Sequence, residues 1–224
     1  MKAAALAAEE LTAQVAHRLM ALADERLVSH EGSEGTEVVP DIHVYDDVLP
    51  DPEGYRALAL AHSFQTFTIG TVEWRGFAEC EPPGLTDWLQ DRRPDLTATL
   101  SLLRQSPKGQ AEPHYIHTDR SMGDWTAILY LTPSPKAGDG TDFWRHRWSG
   151  VTESRAESAT AMAQESQAWS DRDQWSLRQH VAARFNRVVL FPAKYFHSRS
   201  LHENYGSGDT ARLTQIVFCE KKDA

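Results

Sequence analysis

His117-Thr118-Asp119 places an imidazole and a carboxylate one residue apart. On an extended strand two such residues point to the same face, because side chains alternate with period two. A second histidine from a distant strand would complete two imidazoles and one carboxylate on one side of a metal. That donor set leaves coordination positions open and is the mark of non-haem Fe(II) oxygenase chemistry. His197 is the leading partner: it follows Val188-Val189-Leu190-Phe191-Pro192, a buried-strand pattern ending in proline, where the chain turns back into a sheet. His202, five residues on, competes for the same role. An isolated His-x-Asp is a weak motif, since a polar strand end with Asp119 closing a turn reads the same way.

Arg212 brings a different chemistry. In Arg212–Cys219 it shares one strand face with Thr214 and Ile216, while Leu213, Val217 and Cys219 share the other. An arginine inside a strand is costly to bury unless it is paired. A dicarboxylate would relieve that cost, gripped bidentately by the guanidinium and by the Thr214 hydroxyl. A salt bridge to a local Asp or Glu is the plainer alternative.

Several elements must position these groups. Residues 3 to 27 read as an amphipathic helix with Leu11, Val15, Leu19 and Leu22 in a stripe. Residues 29 to 37 read as a linker, making 1–37 a helix and linker ahead of a single domain over 38–224. Asp51-Pro52-Glu53 is an N-cap, N1 and first-turn signature opening a helix to about Phe64. Extended character surrounds Ile42, Val44 and Tyr45, and a short helix is expected at Leu85–Gln90, so 38–97 is expected to be mainly helical support. From there the texture turns to β. Strands are expected at Ala98–Arg104, Tyr115–Asp119, Trp125–Leu131, Thr141–Arg145, Arg187–Phe191 and Ala211–Cys219. Short strands between Gly, Pro and polar turns predict a sandwich or barrel over about 98–220, mainly β with supporting helices. The stretch 149–184, with Trp169 and Trp175, reads as a helical or irregular, lid-like insert.

Composition narrows the partners. A formal net charge of −9 gives no general electrostatic footprint for nucleic acid or an anionic membrane, and Arg145–Arg147 reads as a solvated charged loop. Cys80 and Cys219 form no disulfide framework or zinc spacing, and Cys219 reads as a buried thiol. No apolar run approaches the ~20 residues of a membrane span, and Glu9 and Glu10 interrupt the opening too early for a secretory signal. A cytoplasmic location is the simplest expectation. Oligomeric state is left open.

With HTD, WTAILYLTP, GTDF, NRVVLFPAKYFHS and GDTARLTQIVF in hand, the chain resembles the 2-oxoglutarate/Fe(II)-dependent dioxygenase superfamily. It is especially similar to a bacterial and phage oxygenase-like group in which a YDDVLPDP-like opening and an FNR…LFP…FHS…RLTQ ending recur, with prolyl-hydroxylase-like motifs. The resemblance covers Tyr115 to Cys219 and implies a double-stranded β-helix (jelly-roll) core. It implies Fe(II) held by His117, Asp119 and His197, and 2-oxoglutarate gripped by Arg212 with Thr214 and Tyr130. O2 would be consumed and succinate and CO2 released as the substrate is hydroxylated. His202 to Arg212 is the more usual interval in that family, so His202 stays in contention. A carboxylate at Asp119, where family halogenases carry a small residue, favours hydroxylation. Trp144, His146 and Trp125, with Trp148, are candidate contacts for a small-molecule or peptide-like substrate, nucleic acid being the less favoured partner. A cupin-type metal enzyme independent of 2-oxoglutarate and a non-catalytic jelly-roll binding module are the alternatives.

Overall fold

Strict alternation in the strand Trp125–Tyr130 (β5) sends Trp125, Ala127 and Leu129 to one face of its sheet. Thr126, Ile128 and Tyr130 go to the other, and nearly all six are buried, so the strand has protein on both sides. The computed structural model that shows this describes residues 37–69, 72–80, 85–110, 116–155, 171–200 and 204–222. The predicted helix over 3–27, most of its linker, Trp169 and His202 lie outside them.

In chain order the remaining strands are β1 His43–Tyr45, β2 Gln65–Ile69, β3 Val72–Glu79, β4 Leu96–Ser106, β6 Gly140–His146, β7 Trp175–Ala182, β8 Arg187–Pro192, β9 His197–Arg199 and β10 Arg212–Lys221. Helices α1 Pro52–Leu60 and α2 Leu85–Arg92 fall between them. Two antiparallel sheets result, of order β1-β8-β5-β10-β4-β3-β2 and β7-β6-β9. This is the jelly-roll architecture. The outer face of the large sheet (Trp125, Ala127, Leu129, Val188, Leu190, Leu213, Val217) packs under Tyr55 and Ala59 of α1 and Leu85 and Leu89 of α2. The inner face meets the small sheet through Tyr130, Val189, Phe191, Phe143 and Val181. Each fully buried aliphatic or aromatic side chain here contributes about 1.5–3 kcal/mol.

The α1 signature is realised: the Asp51 carboxylate accepts from Gly54 N at 2.9 Å, with Pro52 at the first helical position. The helix stops at Leu60, short of the expected Phe64. His62 donates a ring N–H to the Leu58 carbonyl (2.9 Å), and the β-branched, aromatic run Gln65–Ile69 leaves as a strand. Four expectations need correction. Residues 38–97 hold β1 to β3 as well as the two helices. The predicted insert over 149–184 contains β7, whose Leu, Arg, Gln and Ala content suits a helix but whose pairing with β6 along Thr141–His146 overrides propensity. Trp175 is accordingly a core residue, its ring 4.7 Å from Phe196. His117–Asp119 is not a regular strand: His117 makes an isolated bridge to His197, and at Asp119 the chain turns toward β5 through Met122 N to Asp119 O (2.7 Å).

Two distant segments are stitched to the large sheet. Arg187 donates to both carboxylate oxygens of Asp46 (2.6 and 2.9 Å). Asn186, in the left-handed region at φ 62°, accepts from Leu49 N (2.8 Å) and donates to Leu49 O (2.9 Å). The YDDVLP and FNR motifs, about 140 residues apart in sequence, are therefore one contact. No helix among the described residues is long and apolar enough to cross a membrane.

Candidate metal centre

His197 begins β9 and pairs with Phe143 of β6. Its ring is buried, 4.7 Å from that of Phe191 and 6.4 Å from that of Phe143. Nδ1 lies 3.0 Å from the Tyr195 carbonyl oxygen, which can only accept, so Nδ1 carries a proton and Nε2 is the nitrogen left to face Asp119. Reciprocal backbone bonds between His117 and His197 (3.0 and 2.8 Å) bring the two rings to 4.5 Å. Asp119 N then donates to Ala193 O (2.8 Å), turning the carboxylate back toward both imidazoles.

The outcome is one oxygen of Asp119 3.3 Å from His197 Nε2 and the other 3.8 Å from His117 Nε2. Ligand atoms of the three residues all lie within 4.8 Å of one another. Bonds of about 2.1 Å at right angles would place cis donors about 3 Å apart, so the group would hold a small divalent ion once its widest pair closes in by up to about 2 Å. Thr126 Oγ1 donates to Asp119 Oδ2 (2.9 Å). Burial pushes the Asp119 carboxyl up, but His197, then His117 and the Thr126 hydroxyl, outweigh it and hold the group below its ordinary value. An ionised, half-buried carboxylate beside two imidazoles is a donor set suited to a cation.

Arg212, Thr214 and Ile216 occupy the inner face with this centre, since Thr214 lies opposite Tyr130, and Phe218 opposite Thr126. Tyr130 and Thr141 share a buried hydrogen bond between hydroxyls (2.6 Å), and burial pushes the Tyr130 phenol up. Along β6, Thr141 beside Tyr130 and Phe143 against His197 are two residues apart, about 7 Å at ~3.3 Å per residue. A short dicarboxylate chelated at the metal end would reach the arginine end.

The arginine is not alone. Arg212 Nε donates to both oxygens of Asp139 (3.0 and 3.1 Å), and both side chains are almost wholly buried. Asp139 also accepts from Gly140 N and from the Tyr205 hydroxyl (both 2.8 Å). Burial alone would lower the Arg212 pKa, but Asp139 leads the effects that raise it on balance. Burial, with the Asp139 charge, pushes the Tyr205 phenol up to about 12. The cost of burying Arg212 is thus met in part by a local carboxylate, the alternative weighed on the sequence.

The candidate substrate contacts are dispersed. Trp144 is buried and donates its indole N–H to Ser198 Oγ (2.9 Å), with Arg172 over its ring. His146 engages Ser149 and Gln174 through its two ring nitrogens (2.7 and 3.3 Å). Trp125 lies on the outer face, beneath the Arg93 guanidinium at 4.2 Å, pointing away from Asp119, and Trp148 is exposed. Structure therefore gathers His117, Asp119, His197, Arg212, Thr214 and Tyr130 on one inner face and leaves Trp125 off it. It adds Thr126 and Asp139, which sequence reasoning passed over. The hydroxyl of Thr126 sat inside an apolar strand run, and Asp139 in GDGT carried only a turn signal.

The profile of a family of unknown function (DUF6445) matches residues 86–219, more than half of the chain. No curated protein matches the sequence. Among solved structures, AviO1 from Streptomyces viridochromogenes Tue57 aligns with a TM-score of 0.53 at 13% identity, over 82% of this chain and 90% of that one. SnoN, a non-haem α-ketoglutarate-dependent epimerase from nogalamycin biosynthesis, aligns at 0.50 and 14% identity, over 95% and 81%. HygX from Streptomyces hygroscopicus, solved with nickel and 2-oxoglutarate bound, aligns at 0.48 and 17%, over 79% and 81%. The first two likenesses establish a shared fold.

Proposed function

The chain belongs to DUF6445, a family of unknown function, and from its inner-face geometry we propose that it is a 2-oxoglutarate- and Fe(II)-dependent dioxygenase. Its substrate would be a small or peptide-like molecule, hydroxylated with release of succinate and CO2. One observation carries the reading: two imidazoles and a carboxylate converge within 4.8 Å on the face that also holds a buried arginine. The fold shared with SnoN, an α-ketoglutarate-dependent enzyme, supports it.

In this reading His117, Asp119 and His197 hold the iron, and Arg212, Thr214 and Tyr130 take the distal carboxylate of the co-substrate. The bound iron and 2-oxoglutarate supply the O2-dependent oxidation. The protein supplies orientation and dryness. Tyr195 O fixes the His197 tautomer and ring plane, and Thr126 fixes one oxygen of Asp119. The aromatic walls of Phe143 and Phe191 keep water from the imidazole face. Arg212 has Nη1 and Nη2 engaged by no other described residue, leaving its end-on edge for a second carboxylate.

Anaerobic titration of the Fe(II)-loaded protein with 2-oxoglutarate tests the proposal. A saturable metal-to-ligand charge-transfer band is the expected result, and Arg212→Ala should weaken the co-substrate titration at least ten-fold. A second reading, a metal enzyme of this fold that does not use 2-oxoglutarate, draws support from the Asp139 partner of Arg212. Iron bound with no band would favour it and end the first.

A further inference from the structure

The relation of Asp139 to Arg212 extends beyond charge balance. Asp139 meets the guanidinium side-on, through Nε alone, with its two oxygens almost equidistant. Its own place is set by Gly140 N on Oδ1 and by the Tyr205 hydroxyl on Oδ2. A buried carboxylate with three donors is a rigid anchor. A long side chain held at Nε has its last torsions settled, and this fixes the direction of its two Nη groups. We propose that Asp139 is a positioning residue, which orients Arg212 so that its Nη edge receives the distal carboxylate of the co-substrate. The proposal rests on the reading of Arg212 given above.

Two effects of Asp139 oppose each other. Its negative charge repels an incoming carboxylate. Its geometry pre-organises the cation that binds that carboxylate, sparing the ordering cost of a free arginine. The variants separate them. Asparagine keeps Oδ1 for Nε and Gly140 N, and its amide nitrogen, in the place of Oδ2, can donate to Tyr205, whose hydroxyl then accepts. Nε keeps one of its two acceptors, so the orientation is held by Oδ1 while the charge is lost. Alanine loses both.

Calorimetric titration of the Fe(II)-loaded protein under argon with 2-oxoglutarate and with 2-oxobutyrate, which has the same chelating end and no distal carboxylate, reads the positioning directly. Asp139→Ala should lower the preference for 2-oxoglutarate over 2-oxobutyrate at least ten-fold with 2-oxobutyrate affinity unchanged. Asp139→Asn should restore the wild-type preference or exceed it. Tyr205→Phe, which removes one of the donors that fix Asp139 and leaves the ion pair, should lower the preference a few-fold and serves if the alanine variant does not fold. A wild-type preference in both Asp139→Ala and Tyr205→Phe overturns the positioning role. A tightening in both Asp139 variants overturns it too, because charge would then be the whole effect. Equal loss of both ligands in Asp139→Ala overturns it in favour of general damage. A wild-type protein that binds iron but shows no preference for 2-oxoglutarate overturns the Arg212 assignment itself.

Discussion

His197 donates its Nδ1 proton to the carbonyl oxygen of Tyr195, two residues upstream, at 3.0 Å. That bond occupies Nδ1, so Nε2 is the ring nitrogen left to face the centre, and it lies 3.3 Å from Asp119. The backbone of one turn thereby decides which imidazole nitrogen is available for a cation.

Metal retention should follow the supports as well as the ligands. Asp119→Ala should abolish stoichiometric iron. Thr126→Val is nearly isosteric but removes the hydroxyl on Asp119 Oδ2, and should weaken iron by about ten-fold. Iron content after equilibrium dialysis measures both, and unchanged affinity in Thr126→Val would remove Thr126 from the centre.

The third ligand can be assigned by the same measurement. His197→Ala should lose iron, whereas His202→Ala should retain it. Retention in the first and loss in the second would reverse the assignment.

Asn186 should be a stability determinant remote from the chemistry. Asn186→Ala removes both bonds to Leu49 and puts a Cβ-bearing residue without compensation at φ 62°, costing about 2–4 kcal/mol. Asn186→Gly tolerates that φ and should cost about 1 kcal/mol less. Urea unfolding of the two variants gives the difference directly.

Acid stability should report the Asp46–Arg187 contact. The Arg187 hydrogen bonds lead the effects that hold the Asp46 carboxyl below its ordinary value, against the opposing pull of burial. A depressed folded-state pKa contributes stability that is present above the unfolded value and is lost as pH falls through the folded one. Asp46→Asn should therefore lower stability near neutrality and flatten the decline below about pH 4. Parallel curves for the variant and the parent from pH 7 to 3 would show that the contact adds nothing.

The sequence carried much of this organisation, because alternation and capping are local signals. β5, β8 and β10 were legible from hydrophobic pattern, α1 from Asp51-Pro52, and the grouping of His117 with Asp119 from their spacing. β7 was not, since its residues favour a helix in isolation and only β6 beside them makes a strand. Nor was the role of Asp139, 73 residues from Arg212, because a turn aspartate looks alike whether it faces water or a buried guanidinium. The same holds for YDDVLP and FNR: each is visible alone, but their contact exists only in the folded chain.

The central place of β10 carries a consequence for biosynthesis. Arg212–Lys221 lies between β4 and β5, joining β1-β8-β5 on one side to β4-β3-β2 on the other. Until this strand has left the ribosome, β4 and β5 each lack the neighbour that joins them, and any pairing already made on either side leaves an edge of unpaired backbone groups open to aggregation. Closure comes late and through long-range pairing, the slow kind of folding step. Because the closing strand also carries Arg212, a chain that has completed its sheet has in the same event installed its inner-face cation.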